Sequence, residues 1–475
     1  MKIMRCYFAI CFFPCLFTSA FAGSASITLD QYLEQVQGSN EGYQGSVLTE
    51  HADQAALVEG ALPFAVQAFG NLQYTDDRRQ TIVPIFEGTR TVTDTSQLGL
   101  KKLFDFGLQS QLFYGITQNT IYGVSPELVP QTSLVTAGLT LQVTQSLWQN
   151  GFGKLNQISR RQTEALDLAS AYTSAYQVKT LLADAETRYW TLAIAREVVI
   201  IQQKSLNRTV AIRDFNAKRV RAHLIDEPDL LTSIAQAKSK EFDLKTAIDN
   251  VRVAERSFNS ARGMDSDSVP EPLMSLAPEA LQSLQVPERS ELRDDVKAAE
   301  QNTIVTTAKS DIATQNTLPI LNVVGTVSTN GLDPSLNTSF HDTLTANNPY
   351  YQIGVNLTVP LDFGEVTAMK RAYAEQMKGA ELTYRRRLFD QENDWKDLVK
   401  KLGEAKERLA IAVDVENAEK LKYDHESVRQ KQGVTTTYQV FQYDLDYLTS
   451  QLNRIQTQSI ILNLIAQMKT YRSGT

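Results

Sequence analysis

The sequence predicts an α+β membrane protein in which long helical rods are joined to the strands of a β-barrel that several copies must build together. Three observations lead to this class. Lys154 to Glu227 is a run of 74 residues with neither glycine nor proline. Four segments alternate polar and apolar residues over about ten positions, the length that crosses a bilayer as tilted β-structure. The order helix, strand, strand, helix, helix is also written twice along the chain.

In chain order, Lys2 and Arg5 precede an apolar run from Tyr7 to Phe17 and then Ala20-Phe21-Ala22. This is the pattern of a secretory signal cut before Gly23, so residues 1–22 are expected to be removed. The apolar run falls short of the ~20 residues of a membrane helix. Cys6, Cys11 and Cys15 all lie in that segment, leaving no disulfide to hold the remainder. The bulky Phe12-Phe13-Pro14 ahead of Cys15 disfavours a lipoprotein cleavage box. Taking Lys2 and Arg5 from the 47 basic residues leaves 45 against 54 acidic ones, a net charge of −9 that argues against a nucleic-acid partner.

The first repeat, 23–262, opens with a helical pattern from Thr28 to Glu59. Pro63 then breaks the helix and starts a strand near 63–75, with Phe64, Val66, Ala68, Leu72 and Tyr74 on one face and Gln67, Asn71 and Gln73 on the other. A polar connection carries a second hairpin near 97–118, turning at Asp105-Phe106-Gly107. The next strand, near 134–146, sets Val135, Ala137, Leu139, Leu141 and Val143 against Thr136, Thr140, Gln142 and Thr144. It feeds the long run, whose seam is Ala165, Leu168, Tyr172, Ala175, Val178, Leu182, Ala185, Tyr189 and Leu192. Unbroken, that run would extend for roughly 110 Å. Near Pro228 the chain turns back into a helix from Asp229 to Arg262, with a seam through Leu244, Ala247, Val251, Ala254 and Phe258.

Residues 263–288 carry Pro270, Pro272, Pro278 and Pro287 and read as a linker. The second repeat, 289–475, restates the order. A helix over Glu291 to Asn316 is followed by strands near 319–329 and 350–360, then by two helices broken near Gly433, the second with Leu445, Leu448, Leu452, Ile455 and Leu462 at seam spacing. Pro63 to Ser146 spans 83 positions and Pro319 to Pro360 spans 41, so the first repeat holds an insertion of 42, expected to lie in an extracellular loop or to extend the strands.

Alternation alone fits a soluble antiparallel sheet with one buried face equally well. In lipid every backbone group must be paired, so a sheet crosses only as a closed barrel, and four strands are fewer than the roughly eight with which membrane barrels begin. Three copies would supply twelve.

The strand-to-helix passage Leu139-Thr140-Leu141-Gln142-Val143-Thr144-Gln145-Ser146-Leu147-Trp148 with Gly151 resembles the QPL(F/W)..G segment of the TolC-type outer-membrane efflux proteins, with Ser146 in place of proline. Val355-Asn356-Leu357-Thr358-Val359-Pro360-Leu361 with Gly364 is similar to their VPLF..G form, and Arg289-Ser290-Glu291-Leu292 to their RPEL. With the duplicated layout, the resemblance covers Thr28 to Tyr471. It implies a homotrimer with a twelve-stranded transmembrane barrel among outer-membrane lipids, continued by a periplasmic α-helical coiled-coil barrel. It further implies passive export of drugs, small molecules or polypeptides through a tripartite efflux pump or type I secretion system. The implied partners are a periplasmic adaptor (membrane fusion) protein and an inner-membrane transporter of RND, ABC or MFS type.

In that family the helix-helix turns form the entrance and the adaptor contact. The second turn here runs Gly433-Val434-Thr435-Thr436-Thr437-Tyr438-Gln439-Val440-Phe441-Gln442. Gln439 and Gln442 stand where some members carry closing aspartates, and Thr435 where an arginine joins them. The first turn has His223 in the glycine's place, then Leu224, Asp226 and Asp229. Gating candidates are therefore Thr435, Gln439, Gln442, Asp226 and Asp229, and adaptor-contact candidates are Leu224, Gly433 and Val434. No cofactor or metal is expected. His425-Glu426 lacks a second histidine four residues on, and Gly151-Phe152-Gly153-Lys154 is too short for a phosphate loop, so no enzyme is expected. Arg385-Arg386-Arg387 reads as a solvated or tunnel-facing surface. The other readings are a soluble periplasmic coiled-coil adaptor and a structural protein without channel activity.

Overall fold

The computed structural model describes residues 26–274, 277–345 and 347–472; the expected signal segment and its cysteines lie outside them. Helices α1 (Leu29–Ser39) and α2 (Glu41–Ala56) lead through a 3-10 turn, Glu59–Phe64, to strand β1 (Gln67–Asp77). There follow α3 (Pro84–Glu87), β2 (Arg90–Leu103), β3 (Leu108–Tyr122), β4 (Ser133–Ser146), α4 (Lys154–Arg221) and α5 (Glu227–Ala261). The rest is α6 (Pro278–Ser283), α7 (Asp294–Asn316), β5 (Ile320–Ser328), β6 (Gly331–Asp333), α8 (Leu336–Thr345), β7 (Tyr350–Thr358), α9 (Phe363–Lys431) and α10 (Thr437–Lys469). None of the described helices is long and apolar enough to cross a membrane.

Two compact units emerge, and each draws on both halves of the sequence. One combines the described residues up to Gln44 with Leu181–Val286 and Lys400–Gln467. Its core is the expected seams: Ala185, Tyr189 and Leu192 of α4, Leu244, Ala247, Ala254 and Phe258 of α5, and Leu448, Ile455 and Leu462 of α10 are all buried, while Leu445 is exposed. α1 is anchored here. A capping box starts it, with the Thr28 hydroxyl accepting from the Gln31 N–H and the Gln31 side chain accepting from the Thr28 N–H. The Tyr32 ring stacks on Phe258 at 4.1 Å and its hydroxyl donates to the Phe258 carbonyl. Tyr189 donates to the Ile27 carbonyl at 2.7 Å and accepts the Met274 N–H, beside a parallel bridge between Ile27 and Leu273. The proline-rich 263–288 stretch is thus pinned at several points rather than free. Arg196 donates to the Glu271 and Val269 carbonyls, and Lys406 to that of Leu284.

The other unit contains the sheet. Its path is β1-β2-β3-β4-β5-β7, antiparallel at every step, with β6 pairing β4 beyond β5. Four long strands per chain were expected, and six lie along the sheet path, with the short β6 beside it. The 97–118 hairpin is the middle of two strands of 14 and 15 residues that stand between β1 and β4, and β1 does not pair β4 at all. Periodicity showed that hairpin's alternation but could not show its register partners. Pro63 also does not start a strand. Lacking an N–H, it sits inside the 3-10 turn, which the Ala65 N–H closes onto Leu62, and β1 begins four residues later. Similarly, Asn40 interrupts the first predicted helix: it is extended, donates from its amide to the Ala261 carbonyl and accepts the Tyr43 N–H.

Removing the Tyr32 ring deletes the largest side chain holding α1. Tyr32→Ala should cost about 3–5 kcal/mol, and Tyr189→Phe about 1 kcal/mol for its lost hydrogen bonds. Hydrogen exchange resolved over α1 should show protection falling in that order.

Candidate functional site

The first candidate site is the sheet's two faces. Register fixes which side chains share a face, because a one-residue slip would invert every strand. Ala68 pairs with Leu100, Leu100 with Leu112, Leu112 with Leu141, Leu141 with Val327 and Val327 with Tyr351, so one apolar row crosses all six strands. A parallel row joins Leu98, Tyr114 and Leu139. Most of these side chains are not covered: Leu72 is 84% exposed, Leu98 72% and Ile353 82%, while Val92, Val135 and Ala137 of the same face are buried. A soluble sheet would bury such a face, and a patch this continuous is what lipid or a partner covers. Asp76, Arg90, Asp94 and Lys102 on this face lie towards the strand ends. Arg90 is bound to Asp76 at 2.7 Å and lies over the Tyr122 ring.

The opposite face carries threonine, glutamine or asparagine in every strand, with Asp77 and Lys101 its charged side chains and Phe69 and Phe113 in edge contact among them. Cross-strand hydroxyl pairs such as Thr140 and Ser328, 2.8 Å apart, satisfy part of it. Helix α8 packs at β4 and reaches the apolar face, its Phe340 ring 5.6 Å from that of Tyr114 and the Ser339 hydroxyl donating to the Val135 carbonyl; Ser339 and Thr343 are buried, and Leu336, Phe340 and Leu344 are exposed at i, i+4, i+8.

The second candidate site is the tip, where α4 turns into α5 and α9 into α10. Both turns end in a left-handed residue, Gly433 at φ 77° and His223 at φ 56°. In each, the left-handed residue's N–H bonds three residues back and the next N–H five back: His223 to Val220 and Leu224 to Arg219, Gly433 to Gln430 and Val434 to Arg429. Both are Schellman turns, so the histidine does occupy the glycine's place. Beyond them Leu224 and Val434 are 66% and 59% exposed.

Sequence reading missed what holds the four helices together here. The buried Asn216 amide of α4 donates to the Ser233 hydroxyl of α5 at 2.7 Å and to the Thr437 hydroxyl of α10 at 3.1 Å, and Gln430 of α9 reaches the same hydroxyl at 3.5 Å. One step up, Arg208 binds Asp444 at 2.5 Å and lies over the rings of Tyr423 and Tyr447, whose phenol pKa values burial raises. A polar residue on a seam was the only available signal for either.

The sequence-named residues divide. The Thr435 hydroxyl donates to Glu426, itself paired with Arg429 at 3.1 Å, so Thr435 ties the turn to α9. Gln442 is exposed and donates to Asp446 of its own helix at 3.1 Å; Gln439 lies in the first turn of α10, its N–H on the Thr436 hydroxyl. Asp226 and Asp229 are exposed at the start of α5, where carboxylates suit the helix dipole. Arg385 and Arg386 are exposed and paired with Glu381 and Asp390.

No protein-family model matches the sequence, and no curated relative does. Solved structures do match, over nearly the whole chain. The outer-membrane channel OprN is 16% identical at a TM-score of 0.67, covering 94% of this chain and 90% of its own. This chain has the fold of the outer-membrane channels. VceC, an outer membrane protein of Vibrio cholerae, is 14% identical at a TM-score of 0.67, covering 94% and 96%, and the MtrE channel of Neisseria gonorrhoeae, solved in its open state, is 13% identical at 0.63, covering 93% and 88%.

Two substitutions test the tip. Asn216→Ala removes one partner each from the Ser233 and Thr437 hydroxyls, which keep the Asp229 carbonyl and the Gln430 amide, and should cost about 1 kcal/mol. His223→Gly relieves the left-handed strain and should gain about 1 kcal/mol or less, part being returned as unfolded-chain entropy. Denaturant midpoints in detergent solution would report both signs.

Proposed function

We propose that the chain is the outer-membrane exit duct of a tripartite efflux pump or type I secretion system, acting as a homotrimer and carrying no chemical step. The observation that supports it most is the apolar face running through six paired strands, exposed along the row from Leu100 to Tyr351, backed by a polar face and bounded by two open edges. Lipid is the occupant that such a face suits, and a second copy of the chain is the partner that such edges suit. The polar face lines the duct. The four-helix tip is the periplasmic entrance, where Leu224, Gly433 and Val434 meet an adaptor that couples to an inner-membrane transporter. Exported cargo is small molecules, drugs or polypeptides.

Closure at this entrance is by amides. Gln439 and Gln442 carry no charge and both donate and accept, so three copies can hold an uncharged network. Asp226 and Asp229 serve the α5 terminus.

Planar-bilayer recording of the purified protein tests these statements. Ohmic conductance at low resting level is expected, changing little between about pH 5 and 8, where an amide does not ionise. Gln439→Ala with Gln442→Ala should raise it severalfold. Strong block by divalent cations that Asp226→Asn with Asp229→Asn abolishes would move the gate to the aspartates. A water-soluble monomer that never conducts would end the channel reading.

A further inference from the structure

We propose that three copies close a barrel of eighteen strands rather than twelve, the hairpin of β2 and β3 being wall and not loop. The proposal rests on the trimer reading above; its own content is where the hairpin lies. β2 is bonded to β1 along eleven register pairs and β3 to β4 along thirteen. With β1 and β4 unpaired to each other, lifting the hairpin out of the wall would expose a whole edge of each to lipid, which no spanning sheet tolerates.

The hairpin also runs the full depth of the sheet. Its turn packs on the junction where β4 passes into α4, at the helical end. Gly107, at φ 83°, and Gly153, at φ 80°, lie backbone to backbone: a Cβ on Gly153 would stand 2.0 Å from the Asp105 carbonyl oxygen, and one on Gly107 2.5 Å from the Gly153 nitrogen. Gln145 donates to the Phe106 carbonyl at 3.2 Å, and Arg160 faces Asp105 at 3.9 Å. An extracellular loop could not reach this place. The hairpin's faces agree with those of its neighbours, Leu98, Leu100, Leu112 and Ile116 on the apolar side and Thr95, Gln97 on the polar side.

Alternation along the path makes β1 and β7 run in opposite directions, so β7 of one copy meets β1 of the next as an antiparallel, head-to-tail pair, and such a ring closes. Three copies of six strands make eighteen. Barrel diameter grows roughly linearly with strand number, so the bore is about 1.5 times that of a twelve-stranded wall. Eighteen strands enclose an open aqueous channel as porins do. The cargo class is accordingly bulkier than a twelve-stranded duct passes.

The experiment labels single cysteines in the reconstituted full chain, which has none outside residues 1–22. Gln97→Cys should react with a membrane-impermeant thiol reagent and Leu98→Cys should not, reacting instead with a lipid-soluble maleimide; Ile82→Cys, in the loop after β1, is the exposed reference. Equal reaction of the first two with the impermeant reagent would overturn the proposal. Deleting 90–122 should lower open conductance to roughly half, as pore area falls with the square of strand number; unchanged conductance would also overturn it. Should the deletion fail to fold, the labelling pair still decides. Mass in detergent is read separately: any value other than three copies removes the trimer and the number eighteen, while the labels still report whether the hairpin is wall.

Discussion

A backbone N–H or C=O in hydrocarbon has no water to bond, and each one left bare costs several kcal/mol. The pairing of this sheet leaves few such groups bare. Among the described residues every strand from β2 to β5 is paired on both sides, and apart from the three-residue β6 the open ladders are the outer edges of β1 and β7. Two open edges of opposite direction cannot be blunted in lipid by charge or proline, as a soluble protein would do; they can be met by the complementary edges of further copies. In the proposed trimer, strand parity alone makes those edges complementary, before any side chain at an interface is considered.

The helical unit answers a different problem. Seams of alanine, leucine and isoleucine bring long helices together without specifying how far one slides along the next. Buried polar groups supply the register. Asn216 can satisfy both Ser233 and Thr437 in only one alignment, and Arg208 can reach Asp444 while lying over two tyrosine rings in only one. Such groups specify more than they stabilise, since misalignment leaves a buried amide or guanidinium unpaired. Arg208 already leaves one buried nitrogen without a partner, which makes that layer the less completely satisfied of the two.

Much of this was legible in the sequence because it is local or periodic. The α4, α5 and α10 seams were read in large part, with Leu445 the exposed exception; face parity was right inside β1, β4, β5 and β7, while Phe64, Val66 and Val359 fall outside those strands; and His223 was matched to Gly433 although the residues share no chemistry. What failed was non-local. Whether Leu98 to Ile116 joins the wall depends on bonds to strands up to some forty residues away, and its pattern would look the same in a free hairpin. Pro63 reads as a strand start only if the preceding helix ends cleanly, whereas the chain inserts a 3-10 turn. The tip network joins residues 17 and 221 apart, and no spacing rule selects Asn216 from other polar seam residues.

The same distinction explains how a chain can follow known channels over more than nine-tenths of its length at 10–16% identity while no family model matches it. The wall asks for any apolar residue at one parity and any small polar one at the other; the seam asks for volume at steps of three and four. These are demands on class, and many residues meet each. Demands on identity fall at few positions, such as the left-handed turn, and even there a histidine stands in. An inserted hairpin of the right length and parity meets every demand of the wall without disturbing the strands beside it, so strand number can change by two where helix seams could not change at all. In this fold the number of strands is therefore the freer variable and the helical seam the stiffer one.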